Sequence, residues 1–376
     1  MKNERNYTID IMKFILIIMM VWSHSGFPTT FIYIFNMPVF FMISGIFIKD
    51  ITSFSEFKRF TWKKICTVYF PYILTNLIFL VFHNLFVKIG FYTNNPEILD
   101  FFPDFKLYDY YTLKDFVKRF ILIIFFVGGT QLGGATWFLR ALFFSSILFC
   151  IFDVIFSKLK ISKKINLHFF VGIVLLVIAF GLRNCEIIFL EKNILMWVRQ
   201  CMVPYIFFPI GKILYSKQEM LLRKKISIVF FAISLVVLVI LCNFKIHKIN
   251  EGIVFKPIAF LVGAISGYIF VFTISSVLSK LKIKSLLALF GQNTLYVLSL
   301  HLFVSKFINL LFVHVKNLPN FVTASFPSCY RLCETYKEKI IYGGGYIILG
   351  VFVPISLGII KNKIIRFRLK RSIEND

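Results

Sequence analysis

Runs of about twenty apolar residues recur along the whole chain, and no other feature limits its folding so severely. Each run is long enough for a helix to cross the hydrocarbon core of a bilayer. Backbone amides and carbonyls find no water there and must pair within the helix. About ten such stretches can be drawn, over 10–27, 30–48, 66–88, 136–156, 166–182, 195–215, 226–243, 254–278, 286–312 and 341–360. Composition agrees: 58% of the 376 residues are apolar and 16% are charged, more apolar side chain than a soluble chain of this length can hide. The expected fold is an all-α polytopic membrane protein, with residues 1–360 as the membrane domain and 361–376 as a basic cytosolic tail. Segment 116–127 is apolar but short and carries Lys118 and Arg119, which predicts a helix lying in the interface rather than a further crossing. The first span keeps Asp10 and Lys13 near its start and has no small-residue cleavage site after it. It therefore reads as a retained span and not a signal peptide.

Lys and Arg outnumber Asp and Glu 43 to 18, a formal net charge of +25. In a soluble chain such a surplus would point to nucleic acid. Here the charge is arranged around the spans. Placing the N-terminus in the cytosol puts 1–13, 49–65, 157–165, 212–225, 279–285 and 361–376 inside, and these segments hold 26 of the 43 basic residues. That is the positive-inside pattern, with both termini cytosolic. Most of the charge then orients the protein and faces anionic lipid, so nucleic acid is not an expected partner. Cysteine says less. Five of the seven, Cys66, Cys150, Cys185, Cys201 and Cys242, lie in or beside spans as small apolar packing residues. Cys329 and Cys333 share the loop 314–340, where a disulfide and two free thiols both fit. There is no metal-ligand spacing, no phosphate-cradling glycine motif and no repeat of fixed period.

Ionisable groups inside a span are costly and by default point to function. The first span holds Asp10, Lys13 and His24. Lys13 and His24 are eleven residues apart, which on a continuous helix brings them to within about 20° of one face and separates them by about 16 Å. Asp10 and Lys13 can pair at i, i+3. The bland alternative is that Asp10 and Lys13 snorkel to the cytosol while His24 is interfacial. The second span adds Asn36-Met37-Pro38-Val39-Phe40-Phe41 and then Ser44-Gly45, where Pro removes a backbone donor and the small pair admits a neighbouring helix. With only a short turn between the spans, Asn36 is expected near the level of His24. His83, His168, His247 and His314 lie near span ends and read as interfacial.

Asp10-Ile11-Met12-Lys13 followed by His24, together with the Asn36–Phe41 run and Ser44-Gly45, resembles the two opening signatures of the acyltransferase type 3 family. Weaker matches follow in order: Phe70-Pro71-Tyr72, Trp137-Phe138-Leu139, and Gly291-Gln292-Asn293-Thr294-Leu295-Tyr296 leading to His301. The resemblance runs from about residue 5 to 312. The chain departs from it with Lys13 where many members carry Arg, and with Asn36 where many carry His.

The resemblance implies a membrane-embedded O-acyltransferase of the cell membrane, taking acetyl from cytosolic acetyl-coenzyme A to a sugar hydroxyl of a surface polysaccharide or its lipid-linked precursor. Acetyl-coenzyme A is then the donor, no cofactor is held permanently, and no metal is involved. Such a transfer needs a base for the hydroxyl proton or a nucleophile to carry the acyl group, and imidazole suits both. His24 is the expected catalytic residue in one of those roles. Lys13, steadied by Asp10, with Lys63 and Lys64 from the first inner loop, is expected to meet the donor's phosphates, and the apolar stripe after Lys13 to line a slot for its pantetheine arm. Asn36, Trp137, Arg140 and His301 are the expected acceptor-side residues, with Arg140 facing either an anionic substrate group or an acidic residue of another helix, and with catalysis or a structural hydrogen bond as the alternatives for His301. Segment 89–135, with Phe91, Tyr92, Tyr108, Tyr110 and Tyr111 amid Asp100, Asp104, Asp109 and Asp115, is either a sugar platform or an interfacial aromatic belt. A transporter or flippase of lipid-linked sugars, or a polysaccharide polymerase, is the competing reading, but a carrier has no evident use for the Lys13 and His24 pattern.

Overall fold

The computed structural model describes residues 6–182, 192–326 and 328–375, most of them helical. Cys185, placed beside a span by the sequence, lies outside the described residues. Six helices among these residues are long and apolar enough to cross a membrane, and each overlaps one of the apolar runs. The helices are α1 Tyr7–Trp22, α2 Thr30–Ile46, α3 Phe54–Lys64 and α4 Phe70–Val81. Next come the short α5 His83–Lys88 and α6 Ile98–Phe101, then α7 Leu113–Ile124, α8 Trp137–Lys158 and α9 Lys164–Gly181. They are followed by α10 Lys192–Met202, α11 Phe207–Ser216, α12 Gln218–Leu222, α13 Lys224–Leu241 and α14 Pro257–Leu278. The chain closes with α15 Lys284–Gln292, α16 Thr294–Val315 and α17 Tyr336–Asn375. A two-residue hairpin, β1 His247–Lys248 and β2 Ile253–Val254, precedes α14.

The apolar runs locate the helices well but miss their breaks. The expected span 66–88 begins twelve residues earlier, at Phe54, because α3 runs into α4 through a π-helical turn at Ile65–Tyr69. Pro71 explains that turn: its ring crowds the carbonyl one turn back and it donates no hydrogen bond, so the helix widens just before it. The expected span 195–215 is two helices joined by a 3-10 turn at Val203–Ile206, which contains Pro204. The expected span 286–312 breaks at Asn293, between α15 and α16. The last helix continues through the expected basic tail as far as Asn375. The segment expected at the interface folds as α7, an amphipathic helix with Leu113, Val117, Phe120 and Ile121 exposed along one side and Thr112 and Asp115 closing a capping box at its start.

The chain divides into two compact units. The first comprises Met1–Pro28, Thr75–Ala135 and Lys282–Asp376, and the second Thr29–Leu74 and Thr136–Leu281. In the first, α1 packs against α15, α16 and α17, with Phe14 5.2 Å from Phe290 and 6.4 Å from Phe352 between ring centres. In the second, α2 is the hub, packed on α11 and α14. A Cβ on Gly45 would stand 2.4 Å from the Phe208 backbone, and one on Gly211 would stand 2.2 Å from the Met42 carbonyl. Only glycine at both positions lets α2 and α11 cross this closely. Ser44-Gly45 therefore has the packing role its residue types predict.

Candidate active site

α1 carries the first charged pair. Lys13 Nζ lies 3.1 Å from Asp10 Oδ1, and Gln292 Nε2 donates to Asp10 Oδ2 at 2.9 Å. Gln292 reaches this carboxylate because Gly291 lets α15 close on α1: a Cβ there would stand 1.8 Å from the Asp10 carbonyl oxygen. The Gly291-Gln292-Asn293 motif is thus a docking motif for the start of α1. Asn293 ends α15 and lets α16 set off from it, while its side-chain oxygen accepts from Asn362 of α17 at 3.2 Å.

α16 brings His301 to His24. Their ring centroids are 5.4 Å apart and tilted by 35°. His301 is fully buried, and its Nδ1 is 2.8 Å from the Val297 carbonyl of its own helix. A carbonyl can only accept, so Nδ1 carries the proton and Nε2 keeps a free lone pair. Among the described residues Nε2 has no hydrogen-bond partner. A buried acceptor in that condition is unusual enough to mark a place for chemistry.

His24 does not stand on the helix. α1 ends at Trp22, and His24 lies in the following turn with its N–H on the Val21 carbonyl at 3.0 Å. The helical-face relation expected between Lys13 and His24 therefore holds only as far as Trp22, about 14 Å of rise. Leu16, Ile17 and Met20, which follow Lys13 on its face, are buried. The turn is held from the far side by Ser328, and the nearby Ala324 and Ser325 are fixed in turn by α16. Lys306, fully buried on α16, donates to the Ala324 carbonyl at 2.8 Å and the Ser325 carbonyl at 2.9 Å. Asn309, one turn on, donates to Ser325 as well, and Ser328 Oγ donates to the Ser25 carbonyl at 3.0 Å. The Phe326 ring is 6.5 Å from that of His24. The sequence reading passed over Lys306 and Asn309, although a Lys and an Asn one turn apart in mid-span were the available signal. Cys329 and Cys333 are buried beside them as free thiols.

The other expected site residues belong to the second unit. Asn36 is buried on α2, and its Oδ1 has no partner among the described residues. Trp137 opens α8, partly buried, with its ring edge-on to Phe138. Arg140 is buried one turn later; it donates to Gln200 Oε1 at 2.6 Å and sits 5.7 Å above the Trp197 ring. Gln200 in turn donates to the Asn250 carbonyl. Lys63 is exposed at the end of α3, and Lys64 lies 5.3 Å above the Phe60 ring.

Three of the four histidines read as interfacial are engaged inside the protein. His168 is buried between Tyr205, 2.7 Å from Nδ1, and Asp153, 3.4 Å from Nε2. His247 Nε2 bonds the Ile34 carbonyl at 3.2 Å, and His83 Nε2 bonds the Asp109 carbonyl at 2.9 Å. Their partners come from distant parts of the chain, which position near a span end could not reveal. His314 is exposed, as expected.

Residues 6–359 match the model of a family described as an acyltransferase domain. No curated protein and no solved structure matches the chain.

Proposed function

Because the chain belongs to the acyltransferase type 3 family and is a membrane acyltransferase, we propose that it moves an acetyl group from cytosolic acetyl-coenzyme A to a sugar hydroxyl of a surface polysaccharide or its lipid-linked precursor. The placement is the cell membrane with both termini cytosolic. About ten crossings follow if α1, α2, α13 and the broken segment Lys192–Ser216 join the six long helices.

One observation carries the chemistry: the tautomer-fixed His301, its Nε2 vacant, beside His24. A small ring rotation lets a His24 N–H donate to that lone pair. The other nitrogen of His24 is then a lone-pair base, oriented as a third group orients the base of a hydrolase triad. His24 takes the acceptor hydroxyl's proton as its oxygen attacks the acetyl carbonyl. The new C–O bond forms, the C–S bond breaks, and the proton passes to the departing coenzyme A thiolate. Lys13, held by Asp10, supplies positive charge for the donor's phosphates. For Lys63 and Lys64 on the donor side, and for Asn36, Trp137 and Arg140 on the acceptor side, all in the second unit, the assignment rests on the sequence resemblance.

Membranes containing the protein, given radiolabelled acetyl-coenzyme A and the surface glycan of the same cells, test this. Label is expected in the glycan as an alkali-labile ester, with mass spectrometry showing added acetyl groups. His24→Ala should lower the initial rate about 100-fold or more. Full acetylation by a normally inserted His24→Ala protein, or unchanged glycan mass in cells lacking the gene, overturns the assignment.

A further inference from the structure

The first unit contains a cavity of about 170 Å³ that the reaction above does not use. Its walls come from the segment between α4 and α8, and the residues that give it character are Lys106, Tyr108, Tyr111, Arg119, Thr130 and Gln131. The sequence led us to expect aromatic rings with carboxylates here. The rings are present, but Asp100, Asp104, Asp109 and Asp115 are not among the lining residues, and the charges facing the space are the cations Lys106 and Arg119. Asp115 is occupied instead by the Thr112 hydroxyl and amide at the start of α7.

The walls are tied in place before any ligand arrives. Tyr111 is clamped through its backbone by Asn84, which accepts from its N–H at 2.7 Å and donates to its carbonyl at 3.0 Å. Its ring is stacked on His83 at 3.5 Å and carries the Arg119 guanidinium 5.8 Å from its centre on the side of the cavity. Tyr108 stacks on Tyr92 at 5.2 Å. Burial raises the Tyr108 hydroxyl to about 12, so it stays a phenol and a hydrogen-bond donor. Asn76 holds the remaining wall by accepting from the Thr130 N–H and hydroxyl at 2.9 and 3.1 Å. Gln131 Oε1 is buried without a hydrogen-bond partner among the described residues and belongs to the same lining.

We propose that this cavity binds one anionic sugar ring, with Lys106 and Arg119 on its carboxylate or phosphate, a tyrosine face against the ring's C–H surface, and Gln131 Oε1 accepting from a ring hydroxyl. Each part of the lining has a use in that ligand. Two cations select charge, and guanidinium favours planar or tetrahedral oxyanions. Aromatic faces take the apolar side of a pyranose. An unpaired amide oxygen needs a donor, which the several hydroxyls of a sugar ring supply while the anionic group is held by the cations. The cavity has room for a single ring. On the proposed glycan acetylation this makes it a subsite for an acidic residue of the acceptor, and the inference rests on that reading for its biological use but not for its binding.

The full-length protein in lipid nanodiscs, without acetyl-coenzyme A, is titrated with methyl glucuronide, glucose 1-phosphate, methyl glucoside and inorganic phosphate, and binding is followed by saturation-transfer NMR and competition. Methyl glucuronide, glucose 1-phosphate or both should bind at least about tenfold more tightly than either methyl glucoside or phosphate alone, and the tighter of the two identifies carboxylate or phosphate as the anion. The exposed-side variant Lys106→Gln and the double variant Lys106→Gln/Arg119→Gln should bring the charged sugars down towards the glucoside, while Gln131→Leu weakens all sugars alike. His24→Ala should bind as the wild type does. Equal affinity for methyl glucoside and its charged counterparts overturns the proposal, as does unchanged binding in a correctly folded double variant, or phosphate binding as tightly as the sugars. Charged-sugar binding in a protein that fails the acetylation test leaves this site standing and removes only the proposed reaction.

Discussion

Two buried histidines, one in each unit, show how differently the same side chain can be satisfied. His168 on α9 has both ring nitrogens engaged. Asp153 can only accept, so Nε2 donates to it and Nδ1 takes the Tyr205 hydroxyl proton; Phe149 stacks on the ring at 3.8 Å. Asp153 is itself satisfied further by the Ile51 amide and by Lys164 at 3.9 Å. His301 on α16 is buried as deeply, but half of its capacity is spent on its own helix and the other half is left vacant beside a second imidazole. Depth of burial does not separate these two residues. The count of satisfied nitrogens does: a fully partnered histidine ties helices together, and a half-partnered one keeps a lone pair for a proton in transit.

That contrast sets an order of effects. The largest belongs to His24→Ala, and adding His301→Gln to it should cost little more, because two groups that act as one unit give non-additive losses. Single and double variants compared by initial acetylation rate check this; a double variant slower by the product of the two single losses separates the rings. His301→Gln alone should reduce the rate about 10- to 100-fold with little change in the melting midpoint in detergent. His168→Ala should do the reverse. It leaves the Tyr205 hydroxyl and one Asp153 oxygen short of a partner, a loss of about 1–3 kcal/mol seen as a lower melting midpoint, while the rate per folded molecule holds. The smallest effect is at α7. Thr112 hydrogen bonds hold the Asp115 carboxyl below its ordinary range, so its contribution is present above the unfolded pKa and is lost as pH falls through the depressed folded value. Asp115→Asn should therefore speed amide exchange in the first turn of α7 at neutral pH, and the difference should vanish in strong acid.

The sequence and the structure part company for reasons that follow from the same physics. Spans could be read because twenty apolar residues in a row admit few other fates, and α8, α9 and α14 fall close to where the runs place them. Breaks could not be placed, since hydropathy is blind to backbone hydrogen bonding: Asn293 ends one helix and begins another without disturbing the apolar run. His24 announced itself through residue types at fixed spacing. Its partnership with His301 did not, because contact between α1 and α16 is a property of packing, as is the Tyr205 and Asp153 embrace of His168. A stripe of Leu16, Ile17 and Met20 on one helix face describes equally well a lining and a core, and in this structure the three side chains are buried.

The buried ammonium of Lys306 reaches further than its own three donors. It fixes the Ala324 and Ser325 carbonyls, and Ser328, further along the chain, donates to the Ser25 carbonyl in the turn that carries His24. The imidazole proposed as the base is therefore braced by a residue to which the proposed reaction gives no chemical part. Lys306→Met would cut that mooring and present in an assay as a slow enzyme, with a kinetic symptom of a mechanical fault.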